Sequence, residues 1–255
     1  MSNILEVKDL CKTYIVNKNQ NNVLKNINFN VAEGEMVAIM GPSGSGKSTL
    51  LYSVSGMDNI TAGEIKFLGK DISKLKPKEI ANIRLDKMGF IFQQMYMLKN
   101  LSIIDNIVLP AFQSKTNNKT RSEIVENAKT LMKSLGINEI ANNDINEVSG
   151  GQLQRGCICR SLINNPKIIF ADEPTGALNR TSSNEVMSEL RKINELGTTV
   201  MLVTHDVKVA SMCSRILYIV DGNIQGEYNF DRNDNDSKIK ERERILNNWL
   251  LEMGW

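Results

Sequence analysis

Residues 36–49 of the chain read MVAIMGPSGSGKST, and this stretch decides the fold. Its first five residues are apolar, which predicts a short buried strand of a parallel sheet. A helix is predicted from about Lys47 to Ser55. The residues between the strand and the helix fit the pattern G-x-x-x-x-G-K-[ST], and they are Gly41, Pro42, Ser43, Gly44, Ser45, Gly46, Lys47, Ser48 and Thr49. In this setting the pattern predicts a phosphate-binding loop.

The chemistry of such a loop follows from its residue types. Glycines let backbone N–H groups close around phosphate oxygens, and the helix that follows adds about half a positive charge at its N-terminus. Lys47 is predicted to reach the β- and γ-phosphates of a nucleotide, and Ser48 to bind Mg²⁺. A glycine-rich turn with a chance lysine is the alternative, and the flanking strand and helix argue against it.

The rest of the chain extends this α/β pattern. Buried strands are predicted at 88–92, 167–171 and 198–203, with helices at 150–163 and 181–196, and this alternation requires a parallel sheet. Strand-like alternation over the first thirty residues and a hairpin around Asp221-Gly222 add antiparallel strands. Helical spacing from Ile103 to about Leu135, interrupted by a polar loop at 114–119, predicts a helical insert. The predicted fold class is α/β, with a P-loop core, a mixed but mainly parallel sheet, an antiparallel β subdomain and the insert.

Two carboxylates, Asp172 and Glu173, follow the strand predicted at 167–171. The C-terminal ends of strands in an open parallel sheet face the ligand crevice. Asp172 is therefore predicted to hold Mg²⁺ through water, and Glu173 to polarise the water that attacks the γ-phosphate. A solvated Asp-Glu turn before Pro174 is the alternative, and the phosphate-binding loop earlier in the chain disfavours it.

Residues 148–155, VSGGQLQR, end 17 residues before Asp172 and open a helix with small residues whose N–H groups favour an anion. They resemble the signature motif of ATP-binding cassette (ABC) proteins, and this resemblance extends over residues 1 to about 230. It implies an ABC ATPase fold, ATP and Mg²⁺ as cofactors, and hydrolysis of ATP. It also implies that the signature residues of one copy close over the ATP held by a second copy, and these residues are Ser149, Gly150, Gly151 and Gln152.

Three further residues match positions of the ABC family. His205, the one histidine in the sequence, matches the switch histidine that senses the γ-phosphate. Gln93 matches the glutamine that contacts Mg²⁺ and water, with Gln94 as the alternative. Tyr14 matches the aromatic residue that stacks on adenine, although a strand aromatic packed in the core is the alternative for it.

The loop after Glu173 points to a branch of the family. Asn179 stands where aspartate is usual, so the coupling of two ATP sites through this loop is in question, and Val148 replaces the usual leucine. Residues 173–179, EPTGALN, resemble the branch that exports or detaches antimicrobial peptides such as bacitracin. Lipoprotein-releasing, macrolide-export and cell-division complexes are the alternative. Soluble ABC proteins of DNA repair or translation are disfavoured, because the sequence has neither long coiled-coil inserts nor a second cassette.

Composition limits the remaining possibilities. The chain of 255 residues is 41% hydrophobic and 24% charged, which is ordinary for a folded globular protein. Thirty-one basic and 29 acidic residues give a net charge of +2, so no nucleic-acid partner is expected. No signal peptide or membrane span is recognised in the sequence. The four cysteines form no CxxC pair and are expected to be reduced, buried thiols.

The organisation predicted from these patterns is an ABC ATPase domain at 1–230, with the helical insert at about 95–147, followed by a linker and an amphipathic helix at 231–255. An integral membrane permease is expected as partner, with residues 95–98 as candidate contacts, and the protein is expected at the cytoplasmic face of the membrane. The terminal helix is expected to dock on its own domain or on the second copy rather than on lipid, because its charges nearly cancel.

Overall fold

The computed structural model describes residues 2–230 and 239–255. The strands are β1 (Asn3–Val16), β2 (Asn19–Ala32), β3 (Met36–Met40), β4 (Ala62–Phe67), β5 (Lys70–Asp71), β6 (Met88–Phe92), β7 (Ile168–Asp172), β8 (Thr199–Val203), β9 (Arg215–Val220) and β10 (Asn223–Asn229). The helices are α1 (Lys47–Val54), α2 (Pro77–Lys87), α3 (Ile103–Gln113), α4 (Arg121–Ser134), α5 (Gly150–Leu162), α6 (Arg180–Glu195), α7 (Val207–Ala210) and α8 (Ile239–Glu252). The α/β class predicted from the sequence is confirmed. Residues 231–238, which include most of the predicted linker, lie outside the described residues.

The chain forms two compact units, and the first combines residues 1–80 with residues 199–255. Its antiparallel sheet has the order β2-β1-β4-β5, and β1 and β2 are joined by Asn17 and Lys18, which both have positive φ. In its second group of strands, β3 pairs in parallel with β8 and β9, and β10 returns antiparallel to β9. Asp221 and Gly222 both have positive φ at the turn, as the hairpin prediction requires.

The second unit spans Ala81–Thr198. Its strands β6 and β7 pair in parallel, with Phe92 opposite Asp172 at their C-terminal ends. The predicted helical insert is present as α3 and α4, which begin at side-chain caps from Ser102 and Thr120. Helix α2, which precedes β6, was not predicted, because its single buried residue, Ile80, leaves no apolar periodicity to detect.

Helix α8 docks on the first unit, to which it belongs. The Trp249 ring lies 6.1 Å from the ring of Tyr218 and 5.4 Å from that of Tyr228. Arg242 donates a hydrogen bond to the Cys213 carbonyl and lies 4.0 Å from the centre of the Phe230 ring. The apolar stripe of the terminal helix is thus covered by its own domain. Among the described helices, none is long and apolar enough to cross a membrane.

The thiols provide a test of the packing. Cys157, Cys159 and Cys213 are buried, whereas Cys11 is partly exposed. Burial raises the pKa of Cys157 to about 11 and raises the pKa of Cys159 further. Because the thiolate is the reactive form, the native protein at about pH 8 should show at most one thiol that reacts rapidly with a disulfide reagent. All four should react after denaturation, and rapid reaction of three native thiols would contradict this packing.

Candidate functional site

The N-terminus of α1 carries no side-chain cap. Its N-cap is Gly46, which has a φ of 100° and makes no side-chain hydrogen bond to the helix. By contrast, side chains cap α3, α4, α5, α6 and α7. Helix α1 thus presents backbone N–H groups where a phosphate is predicted to bind. The sequence places this helix start directly after a glycine-rich loop, and Gly46 has no side chain that could cap it.

The loop before α1 is folded around its own lysine. Lys47 donates hydrogen bonds of 2.8 Å to the carbonyl oxygens of both Gly41 and Pro42. The ammonium group therefore already lies within the curve of the loop, where phosphate oxygens are predicted to sit. The loop residues Pro42, Ser43 and Gly44 are exposed, Gly41 and Ser45 are buried, and Gly46, Lys47, Ser48 and Thr49 are half-buried.

The hairpin of β9 and β10 fixes the shape of this loop. A Cβ atom on Gly41 would lie 2.0 Å from the carbonyl oxygen of Ile219, so no other residue fits at that position. Gly222, in the hairpin turn, donates its N–H to the carbonyl oxygen of Ser45 at 3.1 Å. The same hairpin carries the contacts of Trp249, so the terminal helix and the phosphate-binding loop pack on one element.

Tyr14 and His205 lie at the surface of the first unit. Tyr14 is 38% exposed, so the alternative that it is a core aromatic is wrong. Its hydroxyl donates to Asp58 Oδ2 at 2.5 Å. His205 is exposed and lies two residues after the end of β8, and the next residue, Asp206, begins α7 by accepting hydrogen bonds from two backbone N–H groups. The structure thus places the predicted switch histidine at the carboxyl end of a central strand.

In the second unit, Asp172 ends β7 and Glu173 follows it with a φ of 48°. This left-handed conformation is unusual for glutamate, and the turn is closed by the Gly176 N–H, which donates to the Glu173 carbonyl at 3.0 Å. Gln93 follows β6, the neighbouring strand. A Cβ atom on Gly176 would lie 2.9 Å from Gln93 Nε2, so the glutamine packs against the turn that carries Glu173.

The signature residues open α5. Ser149 is the N-cap and forms a capping box with Gln152, in which the Gln152 N–H donates to Ser149 Oγ at 3.3 Å. The Gln152 N–H is therefore used by the cap. Gly151 is packed against Ser182 of α6, where a Cβ atom would lie 2.8 Å from the hydroxyl oxygen. Gly150 has room for a side chain, since its nearest neighbour would be 3.5 Å away.

Residues not singled out from the sequence also support this unit. Gln154, 1% exposed, donates its amide to the carbonyl oxygen of Pro174 at 2.8 Å, which ties the signature helix to the residue after Glu173. Arg160 donates to the carbonyl oxygens of Met95 and Tyr96, whose φ values of 61° and 46° are both left-handed. The sequence does contain a signal that could have identified Gln154, because it is a polar residue on the buried face of a helix.

Asn179 is the N-cap of α6, where its Oδ1 accepts from the Ser182 N–H at 2.9 Å. Aspartate caps a helix as well as asparagine does, and alanine caps poorly. We therefore expect Asn179→Asp to change the free energy of unfolding by less than about 0.5 kcal/mol, and Asn179→Ala to lower it by about 1 kcal/mol. Urea unfolding of the purified variants measures both. An alanine variant as stable as the parent would show that the cap contributes nothing.

The predicted Mg²⁺ ligands are a hydroxyl, an amide and a carboxylate, from Ser48, Gln93 and Asp172. All three offer oxygen atoms, which are the donors that Mg²⁺ prefers. In the part of the chain that the structure describes, no group of three or more His, Cys, Asp or Glu residues is arranged to hold a metal. These residue types fit Mg²⁺, which takes few ligands from protein and keeps water and phosphate oxygens as the others.

The fold, the phosphate-binding loop and the carboxylates after β7 define a P-loop nucleotide-hydrolysing cassette. The family model described as ABC transporter matches residues 24–176. The chain therefore belongs to the ABC transporter family, as an ATP-binding subunit that hydrolyses ATP.

Curated relatives agree with this assignment. The chain is 44% identical over 222 residues to the bacitracin export ATP-binding protein BceA of Halalkalibacterium halodurans, and the match covers 87% of each chain. It is 41% identical to the lipoprotein-releasing system ATP-binding protein LolD of Wigglesworthia glossinidia brevipalpis, over 87% of this chain and 96% of that one. A macrolide export ATP-binding/permease protein, MacB of Mannheimia succiniciproducens, is 39% identical over 98% of this chain but only 39% of its own length. The predicted resemblance to this superfamily and to its bacitracin-type branch is confirmed.

Solved structures lead to the same family. A dimeric structure of the bacterial ABC transporter cassette MJ0796 matches with a TM-score of 0.83 and 40% identity, over 89% of this chain and 99% of that one. A second dimeric structure of MJ0796, in a post-hydrolysis state with ADP and Pi bound, matches with the same TM-score and 39% identity. The ABC ATPase fold predicted from the motifs is therefore confirmed.

Proposed function

We propose that this chain powers a bacterial membrane permease that handles antimicrobial peptides or their lipid-bound complexes. The observation that carries the proposal is the similarity to a bacitracin export protein over 87% of both chains. Residues 173–179, which resemble the same branch, support it independently of overall identity. The ATPase activity supplies the energy, and the permease supplies the contacts with the exported molecule.

In the proposed mechanism, the N–H groups at the start of α1 and the ammonium of Lys47 bind the β- and γ-phosphates of ATP. Ser48, Gln93 and Asp172 would hold Mg²⁺, which would neutralise charge on the phosphate oxygens. Glu173 accepts a proton from the water that attacks the γ-phosphate. The turn that holds Glu173 in a left-handed conformation supports this role, because it fixes the backbone from which the side chain extends at the end of β7.

His205 is proposed to sense the γ-phosphate from the carboxyl end of β8. The bond between the γ-phosphate and ADP breaks as the water oxygen bonds to phosphorus, and ADP and phosphate are released. Loss of the γ-phosphate removes the charge that the helix start and the histidine contact. We therefore expect the nucleotide-bound and product states to differ in how strongly two copies associate.

Two copies are proposed to meet head to tail, each covering the ATP of the other with Ser149, Gly150, Gly151 and Gln152. The dimeric structures of MJ0796 support this arrangement. One chain carries one phosphate-binding loop and one signature, with no internal repeat. A symmetric dimer is the simplest assembly that supplies each ATP with both.

The permease is proposed to dock on the helical insert, at about 95–147 of an ATPase domain that spans 1–230. Tyr96 is 60% exposed and Leu98 is 50% exposed, whereas Met97 between them is buried. Arg160 holds the backbone of this segment, so the two apolar side chains are presented in a fixed geometry. This contact would place the protein at the cytoplasmic face of the membrane, and residues 231–255 would form the appended terminal segment.

Lipoprotein release, macrolide export and cell-division complexes are the second candidate, and the similarity to LolD and MacB favours the first two. The discriminating experiment is deletion of this gene in the organism that carries it, with complementation by the parent or by Glu173→Gln. We expect sensitivity to bacitracin to rise on deletion and to be reversed by the parent alone. Unchanged bacitracin sensitivity with defective lipoprotein sorting or macrolide export would favour the second candidate.

A further inference from the structure

Three side chains of the first unit form a bonded cluster, and we name Lys12, Tyr14 and Asp58 the Tyr14 cluster. Lys12 Nζ lies 2.6 Å from Asp58 Oδ1, and the Tyr14 hydroxyl donates to Asp58 Oδ2 at 2.5 Å. Lys12 also donates to the carbonyl oxygen of Asn59. Each oxygen of the carboxylate thus holds one of the two partners, and the ring cannot rotate freely.

The side chains of the Tyr14 cluster are in the protonation states that these bonds require. Lys12 is only 7% exposed, so its ammonium is paired in a place where water competes little. Burial and the hydrogen bond to Asp58 raise the pKa of Tyr14. Burial alone raises the pKa of Asp58, but hydrogen bonds from Lys12 and Tyr14 outweigh it and lower that pKa. At neutral pH the carboxylate therefore accepts, and the neutral phenol donates.

The backbone around the cluster is anchored independently of these side chains. The Thr61 N–H donates to the Cys11 carbonyl at 2.9 Å, and the Thr13 N–H donates to Thr61 Oγ1 at 2.9 Å. These bonds should keep the backbone in place when Lys12 or Asp58 is replaced.

The two faces of the Tyr14 ring differ. The Lys12 ammonium lies 4.6 Å from the ring centre, so one face is occupied by a cation–π contact. The ring nevertheless remains 38% exposed. A planar base can stack only on the face away from Lys12, so the cluster determines both where the ring lies and which face is available.

We propose that Lys12 and Asp58 are positioning residues for nucleotide binding, which hold Tyr14 as a platform of fixed orientation for the adenine ring. This inference rests on the proposed function, since it takes Tyr14 as the residue that stacks on the base. Lys12 and Asp58 act through Tyr14 and not through the phosphates. They should therefore change the affinity for nucleotides that carry a base, and leave the binding of bare phosphate chains unchanged.

The test compares ADP with inorganic pyrophosphate, because both occupy a phosphate-binding loop and only ADP carries a base. Calorimetry on purified Asp58→Ala and Lys12→Met should give an ADP dissociation constant raised about fivefold, with that of pyrophosphate unchanged. In ATP hydrolysis KM should rise by a similar factor, while kcat changes less than about twofold. Lys74→Met removes another lysine of the same unit, paired with Asp71 at 2.8 Å, and should change neither constant.

A double-mutant cycle tests whether Asp58 acts through the ring. In a Tyr14→Ala background, Asp58→Ala should weaken ADP binding no further. Tyr14→Phe, which keeps the ring and loses one hydroxyl, serves as a mild variant if Asp58→Ala fails to fold, and should raise the ADP dissociation constant about threefold.

The outcomes separate the inference from the proposed function. Three results would overturn the positioning role. One is an equal loss of ADP and pyrophosphate binding, and another is additive effects of Asp58→Ala and Tyr14→Ala. The third is unchanged ADP binding in both Asp58→Ala and Tyr14→Phe. Tyr14→Ala with parental ADP affinity would overturn it as well, but would leave ATP hydrolysis standing. Failure of the parent protein to bind either ligand would instead contradict the proposed function itself.

Discussion

Replacing Glu173 with glutamine is expected to lower the ATP turnover of the purified protein by about 100-fold or more, because a general base contributes at least that factor. Binding of ATP should persist, since the amide keeps the size of the side chain and the turn closed by Gly176 is unaffected. ATP that is bound and not hydrolysed should hold two copies together. Size-exclusion chromatography with Mg²⁺ and ATP should therefore show the variant as a dimer.

The control for this variant is Glu189→Gln, which removes a carboxylate of the same unit that pairs with Lys192 on the surface of α6 at 2.8 Å. Its turnover should equal that of the parent. Exposed ion pairs contribute little to protein stability, and this pair is remote in sequence from β7. A Glu173→Gln variant that hydrolyses ATP at the parental rate would remove Glu173 from the mechanism.

Lys47→Ala is expected to have a comparably large effect on a different step. The variant loses the ammonium that lies against the carbonyl oxygens of Gly41 and Pro42, and with it a charge-assisted contact to the β- and γ-phosphates. We expect turnover to fall about 100-fold or more and ATP binding to weaken strongly, in contrast to Glu173→Gln. Binding of a fluorescent ATP analogue and phosphate release measure the two quantities separately.

The Lys74→Met variant controls for the loss of one positive charge. Thermal unfolding of Lys47→Ala should remain close to that of the parent, because the shape of the loop is also fixed by Gly222 and by the absence of a side chain at Gly41. Parental affinity for ATP in a folded Lys47→Ala protein would contradict the role assigned to the loop.

Several features of the fold and of the candidate site were predictable because each is encoded locally. The apolar run before Gly41, the paired carboxylates after β7 and the Asp221-Gly222 turn all lie within a few residues of the feature that they determine. The approximate ranges of α5 and α6 were likewise predicted, as helices between the strands of the α/β pattern. Helix α2 was missed because it buries almost no apolar surface, and α7 because it is only four residues long.

The supporting contacts could not be predicted because they join distant parts of the chain. Lys12 and Asp58 are 46 residues apart, and Gln154 and Pro174 are 20 apart. The sequence around Tyr14 does not indicate which residue accepts the hydrogen bond from its hydroxyl. The left-handed conformation of Glu173 likewise belongs to the turn closed by the Gly176 N–H, and residue type alone would have argued against it.

Asn179 has a structural role that does not depend on charge. In the structure its side chain caps α6, and asparagine and aspartate perform this role equally well. The sequence also raised the question of whether loss of a charge here uncouples two ATP sites, and that effect stays a prediction.

The central claim, that each ATP is enclosed by the loop of one copy and the signature of another, can be tested by mixing two inactive variants. Lys47→Ala lacks the loop lysine. Gly150→Asp places a negative charge at the signature, and Gly150 is the residue there with room for a side chain. Each variant alone should be inactive.

In an equal mixture about half of the dimers contain one chain of each kind, and each of these has one intact site and one site with both lesions. The measurement is ATP turnover of the mixture, and we predict recovery to about a quarter of the parental rate if the two sites act independently. No recovery, in a mixture shown by crosslinking to contain mixed dimers, would contradict the claim.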